Sequence, residues 1–229
     1  MVRTALAAVA ERPVGRVFAA LAARRGGEAV HRDGVVLTGT LTVTGQRCGV
    51  PLLDRPGSYA VVVRLSWGLF RTRRSGGHPP DVAGLALRVL DADGRGGDQD
   101  LLVDGSLPPP HDRVLVPRRT LEGWYGTPTR HRAPDGRLLN VAVRLLPGAR
   151  RLTLLVHDGT RPLGTATAVL EAAAGNPPVP RIGLDRLAGG LEPVGFWVEL
   201  RRRVYARSRD ADPRPVTPTG RSATSPRTR

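Results

Sequence analysis

The sequence predicts a mainly β protein: one domain built as an antiparallel β-barrel with a few flanking helices. Three observations point there. Short segments of alternating or β-branched apolar residues recur between Val35 and Leu170. Clusters of Gly, Pro and Asp separate them, as tight turns require. Helical spacing of apolar residues is confined to stretches near the two ends of the chain. Seven or eight short strands in 229 residues suit an antiparallel barrel or sandwich.

The elements follow in order. Pro13–Arg25 reads as a helix, with Val14, Val17, Phe18 and Leu21 on one side, Pro13 in its first turn and Gly26-Gly27 as its stop. Val35–Thr44 alternates, placing Leu37, Gly39, Leu41 and Val43 on one face and threonines on the other. Tyr59–Ser66, Gly84–Asp91 and Asp100–Val103 are the next strands, and the Gly-rich Asp93–Gly97 is a hairpin turn between two of them. Arg113–Val116 is expected as a further short strand. Leu138–Leu146 and Leu152–His157 form a hairpin through Pro147–Arg151, and Leu163–Leu170 is the last strand. Ala174–Pro193, rich in Pro and Gly, is expected to wrap the surface. Gly195–Arg207 reads as a closing helix, with Phe196, Leu200 and Val204 on one side. The expected division is an N-terminal extension at 1–12, a barrel domain with its closing helix at 13–207, and a disordered basic tail at 208–229.

Composition narrows the function. Hydrophobic residues make up 40% of the chain, enough for a core, but aromatics only 4%, so Val, Leu and Ala must build it. No apolar run approaches the roughly 20 residues of a membrane helix. The apolar run after Arg3 is too short for a secretory signal, so a cytoplasmic location is expected. Cys48 is the one cysteine, which excludes an intramolecular disulfide framework and a thiolate-built metal site. The net charge of +15 comes entirely from arginine, for the chain has no lysine. Arg, Ala, Gly and Pro are abundant together, as GC-rich coding produces. Residues 201–229 hold nine Arg against Asp210 and Asp212, a net of +7. No aromatic platform accompanies that charge, so only nonspecific nucleic-acid contact through the tail is expected.

Spacing alone defines no catalytic site. The histidines His31, His78, His111, His131 and His157 form no pair at helical metal-ligand spacing. There is no Gly-rich phosphate cradle after a strand and no GxSxG elbow.

Order along the chain carries more. Ala29–Val43 (AVHRDGVVLTGTLTV) has Val-His, a small-residue turn, then a strand. Val63–Ser66 (VRLS), Asp81–Val89 (DVAGLALRV) and Asp100–Val103 (DLLV) follow. Arg201–Tyr205 (RRRVY) places an Arg four residues before a Tyr on a late helix. Together these resemble the haem catalases and their catalase-like relatives, well over 28–103 and loosely over 184–209. The resemblance implies a catalase-like barrel holding haem b, with Tyr205 as proximal iron ligand and His31 as distal catalytic histidine. A phenolate is a hard anionic ligand that favours ferric iron. Arg201, one helical turn away, would stabilise that phenolate. His31 would carry a peroxide proton from one oxygen to the other. Arg64, in VRLS, would meet a haem propionate or the distal pocket.

This sequence also departs from the family. Asp104 stands where the distal Asn is expected, and an ionised carboxylate accepts hydrogen bonds but donates none. Glu28 replaces the Arg that meets a propionate, and the chain is much shorter than a catalase. The resemblance therefore implies reduced or altered activity on hydrogen peroxide or organic hydroperoxides. Each residue also has a plainer role open to it: His31 as a structural histidine, Tyr205 packing the closing helix, Asp104 in a turn. Two other classes stay open. One is a cofactor-free catalase-fold scaffold or binding module. The other is a phosphoester hydrolase whose arginines attract an anionic substrate.

Overall fold

The computed structural model describes residues 34–68, 80–173, 182–195 and 198. His31, Arg201, Tyr205, the helix expected at Pro13–Arg25 and the tail lie outside the described residues. So does the closing helix, apart from Gly195 and Val198.

The described strands are β1 (Gly34–Val43), β2 (Gly57–Trp67), β3 (Ala83–Val89), β4 (Gln99–Gly105), β5 (Gly123–Gly126), β6 (Arg130–Arg132), β7 (Leu138–Leu145), β8 (Arg151–His157), β9 (Pro162–Ala172) and β10 (Glu192–Val194). A short helix, α1 (Pro51–Asp54), precedes β2, and a 3-10 turn at Pro147–Ala149 joins β7 to β8. Eight strands close into an antiparallel barrel in the order β1-β2-β3-β4-β5-β7-β8-β9, with β9 returning to β1. The ladder β10-β6 branches from the start of β7, outside the closed ring.

Alternation explains the closure. In β2, Val61, Val63 and Leu65 are buried in the core; in β3 it is Leu85, Leu87 and Val89. β7 and β8 add Val141, Val143, Leu145, Leu152, Leu154 and Val156. Each set is spaced by two, so each strand turns one face inward. An eight-stranded barrel is just wide enough for side chains to fill. Here Val, Leu and Ala do so, with Tyr125 the largest fully buried side chain. The expected aliphatic core is therefore present.

Each end of the barrel has a cover. At one, α1 buries Leu52 and Leu53. Its loop is tied to β9 by Gln46, whose Nε2 donates to the Thr165 carbonyl at 2.9 Å. At the other, the Arg118 guanidinium lies 4.9 Å from the centre of the Tyr125 ring. It donates to the carbonyls of Glu122 and Ser106 at 3.0 Å each.

Several expectations change. Arg113–Val116 is a loop touching the barrel through one bridge, Leu115 to Ser106. Its apolar residues have no continuous partner strand, and Val114 is half exposed. β5, β6 and β10 are short strands that the sequence pattern does not announce. Within the segment expected to wrap the surface, Leu191 and Pro193 are buried, and β10 pairs with β6.

The seam between β1 and β9 depends on Gly39. A Cβ there would stand 2.0 Å from the Val169 carbonyl oxygen. Gly39→Ala should cost about 3 kcal/mol of stability, as overpacking does. The outward Thr40→Ala should cost less than about 1 kcal/mol. Urea unfolding of the two variants checks the contrast.

Candidate functional site

Because the barrel interior is packed, the even-numbered residues of β2–β4 point outward. Register places them in rows. The first runs Gly34, Ser66, Gly84, Asp104, Gly126 across β1–β5. The second runs Val36, Arg64, Ala86, Leu102, and the third Thr38, Val62, Arg88, Asp100. Residues directly opposite on neighbouring strands share a face. Arg64 and Asp104, 40 positions apart in sequence, thus lie on one outer wall in adjacent rows. Two strand spacings, roughly 10 Å, separate Ser66 from Asp104, with only Gly84 between them in the row.

This wall differs from the rest of the outer surface. Ser66 is 5% exposed, Asp104 8% and Asp100 2%. Across the barrel, Thr165 and Thr167 are exposed and Val169 is 60% exposed. Arg64 is half-buried. Asp104 lies within β4 and not in a turn, so its turn alternative falls.

Part of the wall is committed to structure. Arg88 grips Asp100 with two bonds, Nε to Oδ1 at 2.7 Å and Nη2 to Oδ2 at 2.8 Å. The Gly183 N–H donates to Asp100 Oδ2 at 2.9 Å, which fastens the chain after residue 181 to the barrel. Asp100 beside it holds the Arg88 guanidinium above its ordinary value, more than offsetting burial. Ser66 Oγ donates to the Gly84 carbonyl at 3.5 Å.

Beyond Gly126 the wall continues into a second buried polar group. His157 and Asn140 are opposite one another on β8 and β7. His157 Nε2 lies 3.1 Å from Asp112 Oδ2, and both side chains are almost wholly buried. The Gly159 N–H donates to His157 Nδ1 at 3.2 Å. Nδ1 is thus an acceptor, the ring proton sits on Nε2, and the imidazole is neutral. Among the described residues, Asp112 Oδ1 and Asn140 Oδ1 are buried with no hydrogen-bond partner. The backbone of Asp112 rests against Gly126, where a Cβ would stand 2.0 Å from the Asp112 carbonyl oxygen. Neither Asp112 nor His157 could be picked out in the sequence. They are 45 positions apart and belong to no motif. Ser66 did carry a signal, as the last residue of VRLS.

The other described side chains with chemistry are accounted for. Burial pushes the Cys48 thiol above its usual range, which suits an inert core residue. Among the described residues, no three His, Cys, Asp or Glu side chains gather as metal ligands. None of their helices is long and apolar enough to cross a membrane. No family model matches the chain, and no curated protein matches it.

His131, on β6 between β7 and β10, is fully enclosed, and burial pushes it down to about 4. An unfolded histidine titrates near 6.5, so between these values the unfolded state binds the extra proton. Stability should hold above pH 6.5 and fall by about 3 kcal/mol as pH drops to 4. His131→Leu should flatten that part of the pH profile, measured by urea unfolding at successive pH values.

Proposed function

We propose that this chain is a haem-binding catalase-like protein acting on hydrogen peroxide or an organic hydroperoxide. One observation carries the reading. Arg64 and Asp104, picked out separately by two segments of the resemblance, lie on one face of adjacent strand ladders. With Ser66 they form a sheltered polar wall whose intervening residues, Gly84 and Ala86, are small. A flat group can approach such a wall closely.

The described residues suit haem b in part. The half-buried Arg64 guanidinium matches a propionate, a bond of charged partners at a site partly removed from water. Asp104 matches less well, for it offers acceptors where an amide N–H would steady a bound peroxide. It suits a hydroperoxide that still carries its own O–H. When bound, haem supplies the redox-active iron at which the peroxide O–O bond breaks. Tyr205 would hold the iron and Arg201 would favour its phenolate. Asp104 would accept the substrate O–H, and His31 would move the proton between the two oxygens. The carboxylate in place of the amide is the reason to expect low or altered peroxide turnover.

Absorbance tests the reading. Protein expressed with haem supply should show a Soret band, and Tyr205→Phe should shift or abolish it. Arg64→Met should weaken haem retention about tenfold, the worth of one charged hydrogen bond. Asp104→Asn should raise peroxide turnover about tenfold by restoring an amide donor. A colourless protein that takes up no added hemin would favour the cofactor-free scaffold instead.

A further inference from the structure

The segment 106–117 leaves β4, folds over the start of the β5 region and returns toward the barrel. It is internally organised. The Leu107 N–H donates to the Val114 carbonyl at 3.0 Å, and the Val114 N–H to His111 at 2.9 Å. The His111 N–H donates to Pro108 at 2.9 Å. Its root is pinned by the Val116 N–H to the Gly105 carbonyl, also at 2.9 Å. Between these bonds the segment can move as a unit.

What holds it down is unusual. From Leu107 to Leu115 the one buried residue is Asp112. Leu107, Val114 and Leu115 are 39%, 51% and 36% exposed, so the apolar side chains that would normally anchor a loop face away from the core. Besides the outer tie from Arg113 to the Pro128 carbonyl, at 3.1 Å from Nη2, the anchor is Asp112 on His157. That anchor is poorly compensated. The imidazole is neutral by its tautomer, so the carboxylate charge has no opposite charge in its partner. Its Oδ1 has no hydrogen-bond partner among the described residues, and neither has the Oδ1 of nearby Asn140. Burying an incompletely bonded charge is costly. In the open position, water would satisfy both oxygens.

We propose that residues 106–117 are a hinged lid, latched by Asp112 on His157 and poised to swing off Gly126. Gly126 is the register partner of Asp104, so the lid borders the wall that carries the candidate site. As a gate for small solutes reaching Asp104 the lid rests on the haem reading; as a motion it does not.

Hydrogen exchange of the cofactor-free full-length chain tests the motion. The amides of Leu107, Val114 and Val116 should exchange at least about tenfold faster than those of β7 and β8, through local opening. Asp112→Asn removes the buried charge but keeps an acceptor for His157, and should slow exchange of the segment. His157→Phe removes the latch and should speed it. Gly126→Ala adds a methyl group against the Asp112 backbone and should also speed it, with β7 and β8 unchanged. If Asp112→Asn speeds exchange as His157→Phe does, the contact is an ordinary stabilising pair and the lid is overturned. Exchange of the segment only through global unfolding would overturn it too. Hemin titration separates the two ideas: no hemin uptake with fast segment exchange ends the haem reading and leaves the lid standing.

Discussion

Closure of eight alternating strands around a filled interior is the constraint on which everything else depends. Once Val, Leu and Ala from every strand meet inside, no room is left there for a ligand or a reacting group. Chemistry must then use the outward residues or the loops at the rims. The same alternation decides which residues those are. Val63 and Leu65 enter the core, so Arg64 and Ser66 must leave it. Function and stability are thus assigned to opposite faces of the same strands.

The outward face is itself divided. The β8–β9–β1 side carries exposed threonines and behaves as ordinary solvated surface. The β2–β4 side buries charged and polar side chains, which folding tolerates only where they are bonded. Arg88 and Asp100 meet that demand by pairing with each other and by receiving the Gly183 amide. This pair turns what would be two costly buried charges into an attachment point for the chain after residue 181. A salt bridge in this setting defines where a segment docks more than it adds net stability.

How much of this was legible in the sequence follows from the range of each interaction. Long strands with strict alternation, such as β1 and β9, announce themselves because a one-residue slip would expose the whole core face. β5, β6 and β10 do not. They are three or four residues long, and their pairing is decided by neighbours far along the chain. Arg113–Val116 looks like a strand because Val-Leu-Val is β-prone, yet propensity loses when no edge is free to receive it. Arg64 and Asp104 were legible through the segments that contain them, and strand parity then fixes their facing. Asp112 and His157 were not, because their contact is made by a loop whose path no local pattern encodes. The proposed His31 and Tyr205 roles rest on the resemblance alone.

The position of the loop root ties these threads together. Segment 106–117 begins two residues after Asp104, and its bridge and backbone bond fall on Ser106 and Gly105. Any swing of the segment therefore pivots on the end of the strand that carries Asp104. At the far side Asp112 rests on Gly126, the residue hydrogen-bonded across the ladder from Asp104. Hinge and seat both touch the same short stretch of the β4–β5 ladder, a pairing only two residues long. A ladder that short has little backbone reinforcement of its own, so Asp104 is held largely by what the loop does. The substitution of a carboxylate for an amide at this position, and the loop that shelters it, are best understood as one local arrangement.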